Sequence, residues 1–305
     1  MGLLNTIFNR GGHDSQKLKA EIESKGFEVS DCSFECDDCT SHFPKSIKVE
    51  EDADLWESTK PFGLHIVVPT GKTDWPHDAC GSHGTFSHKV SGWASDNSGK
   101  YPEIGNIKVT VSSLSSDALY TDDDYINEKK GDILLLPFFV WAKGVELKEV
   151  AGLLSAVIPD LVASRSNKAS GLELSYPQFP NVKLSVDNNQ SYVFFCSHRT
   201  RDKRCGITAP IMKKEMELHL RELGLYRDYG DNSPGGVQVA FINHIGGHKF
   251  VANVIIYLKQ SGKIIWLARC RPSNVKAIVD ECIVKDGKVR PDKIRIIQKF
   301  DPIEW

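Results

Sequence analysis

Short apolar runs punctuate this chain at strand and helix lengths, separated by polar stretches rich in turn residues. Residues 1–60 are polar and irregular, with one helix-like stretch, Gln16 to Lys25, and a cluster of cysteines. LHIVVP (64–69) reads as a buried strand, and a loop follows from Thr70 to Ser87. Ile107 to Val111 and Ile133 to Trp141 read as two more strands. Val145 to Val162 reads as a helix, because Val150, Leu153, Leu154, Val157, Ile158 and Leu161 recur at helical spacing. Residues 164–189, rich in Ser, Asn, Pro and Lys, read as a linker.

The same order then repeats. Tyr192 to Phe195 is a strand ending at Cys196. Pro210 suits the first turn of a helix, where its missing N–H would be unpaired anyway. Met212, Met216, Leu220 and Leu223 give that helix an apolar stripe, and Gly224 stops it. Val237 to Ile242 is a strand running into His244. Val251 to Leu258 and Ile264 to Arg269 form a hairpin, and Pro272 to Ile283 is the last helix. This β-α-β-β-β-α order is that of a thioredoxin-like fold. The expected architecture is therefore α/β with two tandem thioredoxin-like domains. Residues 1–60 form an irregular N-terminal segment, 61–163 a degenerate domain, 164–189 the linker and 190–305 the second domain.

Composition narrows the class. At 305 residues, 40% hydrophobic and 26% charged, the chain is a soluble globular type of two-domain size. Its net charge of -2 implies no general attraction to nucleic acid or anionic membrane. No apolar run reaches the roughly 18 residues of a membrane span, so stable membrane insertion is not expected. The start lacks the apolar core of a secretory signal, and a single Arg in the first ten residues gives thin support to a mitochondrial presequence. Gly2 with Thr6 fits the loose myristoylation pattern. In the reducing compartment this implies, the eight cysteines are ligands or core residues rather than disulfides.

The main candidate chemistry lies in the last third. Cys196 and Cys205 occur in FFCSHRTRDKRCG, and His244 and His248 in NHIGGHKF. Both pairs follow strands, and α/β sites form where loops leave the carboxyl ends of strands. Gly246 and Gly247 disfavour a helix between the histidines and favour a tight loop. Two thiolates with two imidazoles suit zinc or an iron–sulfur cluster. Structural zinc sites usually bring a short C-x₂₋₄-C knuckle, whereas this loop is wider and suits a larger group. Its Arg199, Arg201, Lys203 and Arg204 would favour a more negative, reduced cluster and an acidic partner.

CSHRTRDKRCG and NHIGGHKF, with HIVVPTGKTDWPHDAC and the chain's ending, resemble the sucrase/ferredoxin-like family, in its fungal actin-patches-distal group. The resemblance implies a thioredoxin-like ferredoxin in the second domain. Cys196 and Cys205 would bind one iron of a 2Fe–2S cluster, and His244 and His248 the other. It implies a cytosolic electron-transfer protein in redox homeostasis, more a carrier than an enzyme with its own substrate. Imidazole ligands imply a raised, pH-dependent potential. Lys249 and Phe250 stand where thioredoxins carry a proline before the strand, which argues against thiol–disulfide chemistry there. Nothing in these residues supports sucrase-like hydrolysis.

Other candidates are weaker in pattern. Cys32, Cys36, Cys39 and His42 have a spacing that can hold zinc. Trp75, His77, Asp78 and Cys80 occupy the position of a thioredoxin redox motif, but a lone Cys cannot form the internal dithiol. Cys270 and Cys282 read as buried thiols. Ile303, Glu304 and Trp305 resemble the tail by which the cytosolic iron–sulfur assembly targeting complex recognises its clients. The rival readings are a zinc-stabilised scaffold and a thiol oxidoreductase.

Overall fold

In the computed structural model, residues 12–168, 171–228 and 230–305 are described. The myristoylation pattern at Gly2 and Thr6 lies outside them. Chain order begins with helix α1 (Gly12–Ser24) and strand β1 (Glu28–Val29). β2 (Leu64–Pro69), α2 (Phe86–Asn97), β3 (Ile107–Ser112), β4 (Lys130–Leu136), β5 (Val140–Glu146), α3 (Val150–Asn167) and β6 (Lys183–Val186) make the first half. β7 (Ser191–Cys196), α4 (Lys203–Glu222), β8 (Val237–Ile242), β9 (Val254–Leu258), β10 (Lys263–Leu267), β11 (Lys288–Val289) and β12 (Ile294–Lys299) make the second. A helical run in three short pieces, Pro272–Asn274, Val275–Ala277 and Ile278–Val284, separates β10 from β11. No helix among the described residues is long and apolar enough to cross a membrane.

Ten strands form one mixed sheet in the order β12-β10-β9-β7-β8-β3-β2-β4-β5-β6. Each half has the same pattern. Its first two strands are parallel, as in Leu64↔Ile107 and Ser191↔Val237, and its third runs antiparallel to the first. This mixed α/β arrangement is compatible with a thioredoxin-like fold. Within the sheet the halves are joined at a single antiparallel pair, Ser112↔Ile242.

The sheet folds over at that seam. At ~4.8 Å per strand, β2 and β9, four places apart, would be ~19 Å apart in a flat sheet. Yet the His65 ring on β2 is 5.8 Å from Tyr257 on β9 and 6.0 Å from Phe194 on β7. Alternation explains the layers. Leu64, Ile66 and Val68 face α2 and α3, whereas Val67, with Leu134 and Leu136, faces an inner core shared with Tyr192, Phe194 and Trp266. Val193 and Phe195 face α4 and the last helical run.

Several expected elements are corrected. The apolar run Ile133–Trp141 is a hairpin, β4–β5, turning through Pro137, Phe138 and Phe139. Proline cannot donate to a ladder, and Phe139 has a positive φ of 56°. Val145 belongs to β5, so the helix expected from there starts at Val150. The expected linker 164–189 contributes the end of α3 and strand β6, which pairs with β5 along Val140↔Val186. The N-terminal segment contains α1 and docks on the second half. Ile22, Phe27 and Phe34 enter its core, and Asn274 donates to the Phe34 carbonyl at 2.6 Å.

Candidate metal centre

β7 is buried at every position, and its period of two aims Cys196 into the inner core at the strand's carboxyl end. The chain then turns. Asp202 caps α4, its Oδ1 accepting the Arg204 N–H at 2.9 Å while its carboxylate pairs with the Arg204 guanidinium at 2.7 Å. An Asp at the cap outweighs the Pro210 signal. The helix therefore starts at Lys203, Pro210 is interior, and Cys205 sits in the first turn rather than in the loop before it. Gly206 is required for this return: a Cβ there would lie 2.4 Å from the Arg199 Cβ.

The histidine segment leaves the adjacent strand. β8 ends at Ile242, and His244 follows. Gly246 and Gly247 have φ of 88° and 71°, the left-handed region that favours glycine, so the loop turns tightly as expected. His248 opens a short 3₁₀ turn and is exposed.

The ligating atoms of Cys196, Cys205 and His244 all lie within 4.8 Å of one another. Cys196 Sγ is 3.9 Å from His244 Nδ1, and His248 Nδ1 is 3.3 Å from His244 Nε2. Both thiols are buried, at 2% and 1% exposure. Cys196 is the partner that favours the thiolate. The Cys205 thiol donates to it, and the N–H groups of His198 and Ile245 also reach it, so its pKa falls despite burial. The same bond, with burial, pushes Cys205 up. Burial first, and then the neighbouring His244, hold His248 below the usual histidine range.

The 70–80 loop of the first half clasps the cysteine loop. Ser197 Oγ donates to the Thr73 carbonyl at 2.7 Å. Thr200 donates through N–H and Oγ1 to Asp74, at 3.0 and 2.7 Å. Arg201 lies 2.8 Å from the His77 ring. His198 is the central link. Its Nδ1 accepts the His244 N–H at 3.2 Å, so its proton is on Nε2, which donates to the Trp75 carbonyl at 2.9 Å. The sequence reading passed over His198, which matches no spacing rule; its only signal is its place inside the cysteine segment.

The remaining candidates divide. Cys32, Cys36, Cys39 and His42 are not gathered into a set of ligating atoms. Among the described residues only Cys196, Cys205 and His244 form such a group. Cys32 is exposed, Cys36 N–H bonds the Ser273 carbonyl, and the Cys39 thiol points to the Ser41 carbonyl. Cys80 lies beside its own turn, its N–H on Asp78, and burial pushes its thiol up to about 12. Cys270 and Cys282 are fully buried, as expected. Ile303 packs against the first-half core, Glu304 accepts from the Gly171 N–H at 3.1 Å, and Trp305 is exposed.

Comparison with known proteins gives a consistent picture. The profile of the sucrase/ferredoxin-like family matches residues 55–296. Actin patches distal protein 1 of Saccharomyces cerevisiae is 40% identical over 322 aligned positions, covering 98% of this chain and 99% of that protein. Altered inheritance of mitochondria protein 32 of Meyerozyma guilliermondii is 33% identical over 109 residues, 36% of this chain and 35% of that protein. Its namesake in Candida glabrata is 29% identical over 157 residues, 46% and 45% of the two chains. No solved structure matches.

Proposed function

This chain belongs to the sucrase/ferredoxin-like family, and on that premise we propose that it is an electron carrier holding a 2Fe–2S cluster. Cys196 and Cys205 would bind one iron, and His244 and His248 the other. The observation that carries this reading is the convergence of two buried thiols and an imidazole, with a second imidazole alongside. The donor set fits: soft sulfur and borderline nitrogen, brought together from two chain segments, with both thiols buried and His248 at the surface.

A cluster bound there supplies one-electron transfer, at roughly -150 to +300 mV if the potential follows other centres with two imidazole ligands. The chain's own residues do the rest. N–H groups of His198 and Ile245 reach Cys196, and such bonds to cysteine sulfur raise the potential. His198 holds the His244 backbone, and the 70–80 loop covers the cysteine loop. Exposed His248, beside Arg201, Arg204 and Lys249, is the point where an acidic redox partner would dock. We extend the reading to proton coupling, since each ligating ring keeps one nitrogen free. A potential flat from about pH 6 to 9 refutes that extension.

The two halves are read as tandem thioredoxin-like units, 61–163 and 190–305, supported by their shared strand order. The proposed compartment is the cytosol, with Ile303, Glu304 and Trp305 as the tail read by the iron–sulfur assembly targeting complex and Trp305 its exposed residue. A Cys80-based oxidoreductase is disfavoured, because the thiolate is the nucleophile and this thiol resists ionisation.

The test is the visible and EPR spectrum of anaerobically purified protein, beside a His244→Cys/His248→Cys variant. Visible bands and an EPR signal on reduction, both shifted in the variant, are expected. A colourless protein with stoichiometric zinc, even after cluster reconstitution, overturns the reading in favour of a zinc-stabilised scaffold.

A further inference from the structure

A second cation lies under the site, and it is of a different kind from the exposed Arg and Lys of the cysteine loop. Arg295, on β12, is 2% exposed. One terminal nitrogen donates to the Gly246 carbonyl and to Asn253 Oδ1, both at 3.0 Å. The other donates to the Ser58 carbonyl at 3.0 Å, and Nε to Ser58 Oγ at 3.1 Å. The guanidinium carbon stands 4.5 Å from the centre of the Trp266 ring and 5.5 Å from that of Phe250.

All four hydrogen-bond acceptors are neutral. A buried charge without a paired opposite charge is costly, and a protein retains one where a partner charge compensates it. Lys108, 5.0 Å from the same Trp266 ring, adds to the positive potential rather than balancing it. The group whose negative charge would favour the charged guanidinium is Cys196, the thiol whose pKa falls despite burial. Gly247 is shaped around the same group. A Cβ there would lie 2.4 Å from the Arg295 terminal nitrogen, so the turn can carry His248 only with glycine in place.

We propose that Arg295 is the positioning and charge-setting residue of the metal centre: it fixes the Gly246–Gly247 turn that carries His248, and its buried charge stabilises the more negative, reduced state of the site. The charge-setting half rests on the cluster reading above; the positioning half does not. Both act through neighbours, because Arg295 reaches the turn and Asn253 rather than the ligating atoms.

Four proteins test it: wild type, Arg295→Met, Arg295→Lys and Asn253→Asp. Met removes the charge, and Lys keeps it without the planar fork. Asp places a carboxylate against the guanidinium and still accepts from Trp266 Nε1, whose bond to Asn253 Oδ1 is 3.0 Å, but gives up the Asn253 Nδ2 donation to the Gly247 carbonyl at 3.2 Å. In EPR-monitored redox titration, Arg295→Met and Asn253→Asp are expected to shift the reduction equilibrium at least tenfold toward the oxidised form, ~59 mV for one electron. Arg295→Lys should stay within a few-fold of wild type. Potentials unchanged in both neutralising variants, or Lys shifted as far as Met, overturn the charge-setting half. Hydrogen exchange on metal-free protein reads the positioning half. Exchange in residues 243–253 should rise at least tenfold in both Arg295 variants, and unaltered exchange overturns it whatever metal the site takes. Wild-type protein without cluster bands overturns the cluster reading and the charge-setting half together, leaving exchange to decide the rest. Should Arg295→Met fail to fold, Arg295→Lys still separates charge from scaffold, a wild-type-like potential together with raised exchange being the expected result.

Discussion

Replacing His198 by alanine removes the side chain that joins the start of the histidine loop to the 70–80 loop. The ring is 1% exposed, accepts the His244 N–H at 3.2 Å and donates to the Trp75 carbonyl at 2.9 Å. Alanine leaves both backbone groups without a partner, at ~1–3 kcal/mol each, so the variant should lose ~2–6 kcal/mol. At about 2 °C per kcal/mol for a chain of this length, the melting temperature of metal-free protein should fall roughly 4–12 °C. Asparagine offers a sharper comparison. Its Oδ1 occupies the place of Nδ1 and can accept from His244, but it cannot reach the Trp75 carbonyl. His198→Asn should therefore recover about half of the loss. Calorimetry of the three metal-free proteins, with metal retention measured in parallel, is the assay. An alanine variant melting within about 1 °C of wild type would refute the argument, since two unpaired buried groups cannot be neutral. So would an asparagine variant no better than alanine.

Cys205→Ser should abolish metal retention, read by absorption and metal analysis, whereas Cys80→Ser should leave both metal and potential unchanged. His65 is fully buried between Tyr257 Oη at 2.6 Å and Thr110 Oγ1 at 2.8 Å; burial, and then Lys108, hold it well below the usual histidine range. The fold keeps it neutral, so its stabilisation is complete above the unfolded value of about 6.5 and is lost as pH falls toward the folded value. The unfolding free energy from urea titration should decline below that pH by up to ~1.4 kcal/mol per unit, a slope that His65→Phe should flatten even though its overall stability is lower; an unaltered slope would assign the acid sensitivity elsewhere. Gly262→Ala should cost more than ~2 kcal/mol in the same assay, because φ is 65° and the new Cβ would sit 1.8 Å from the Phe300 carbonyl oxygen; a neutral result would show that the end of β12 yields freely.

Local pattern carried much of the structure. LHIVVP and VQVAFI are strands with the expected limits, and the stripe Met212, Met216, Leu220 is buried on α4. Leu223 is exposed at the helix end, where Gly224 turns the chain with a φ of 67°. The two ligand segments were legible because thiols, imidazoles and paired glycines are chemically distinctive and each pair sits after a strand. Errors came where one signal was overridden. A continuous apolar run concealed the hairpin at Pro137, and a polar composition concealed β6 and the docked N-terminal segment.

Residue order by itself determined most of the strands and helices and which segments carry the candidate ligands, because backbone preference and side-chain period act over a few residues. Only the tertiary structure decided that the sheet folds over so that β2 faces β9, that His198 bridges to Trp75, and that Arg295 lies beneath Gly246. Those partners stand far apart in sequence, 123 positions in the case of His198 and Trp75. The physical reason is that periodicity records how buried a position is, whereas the identity of its partner is settled by closure of distant chain segments around a common core.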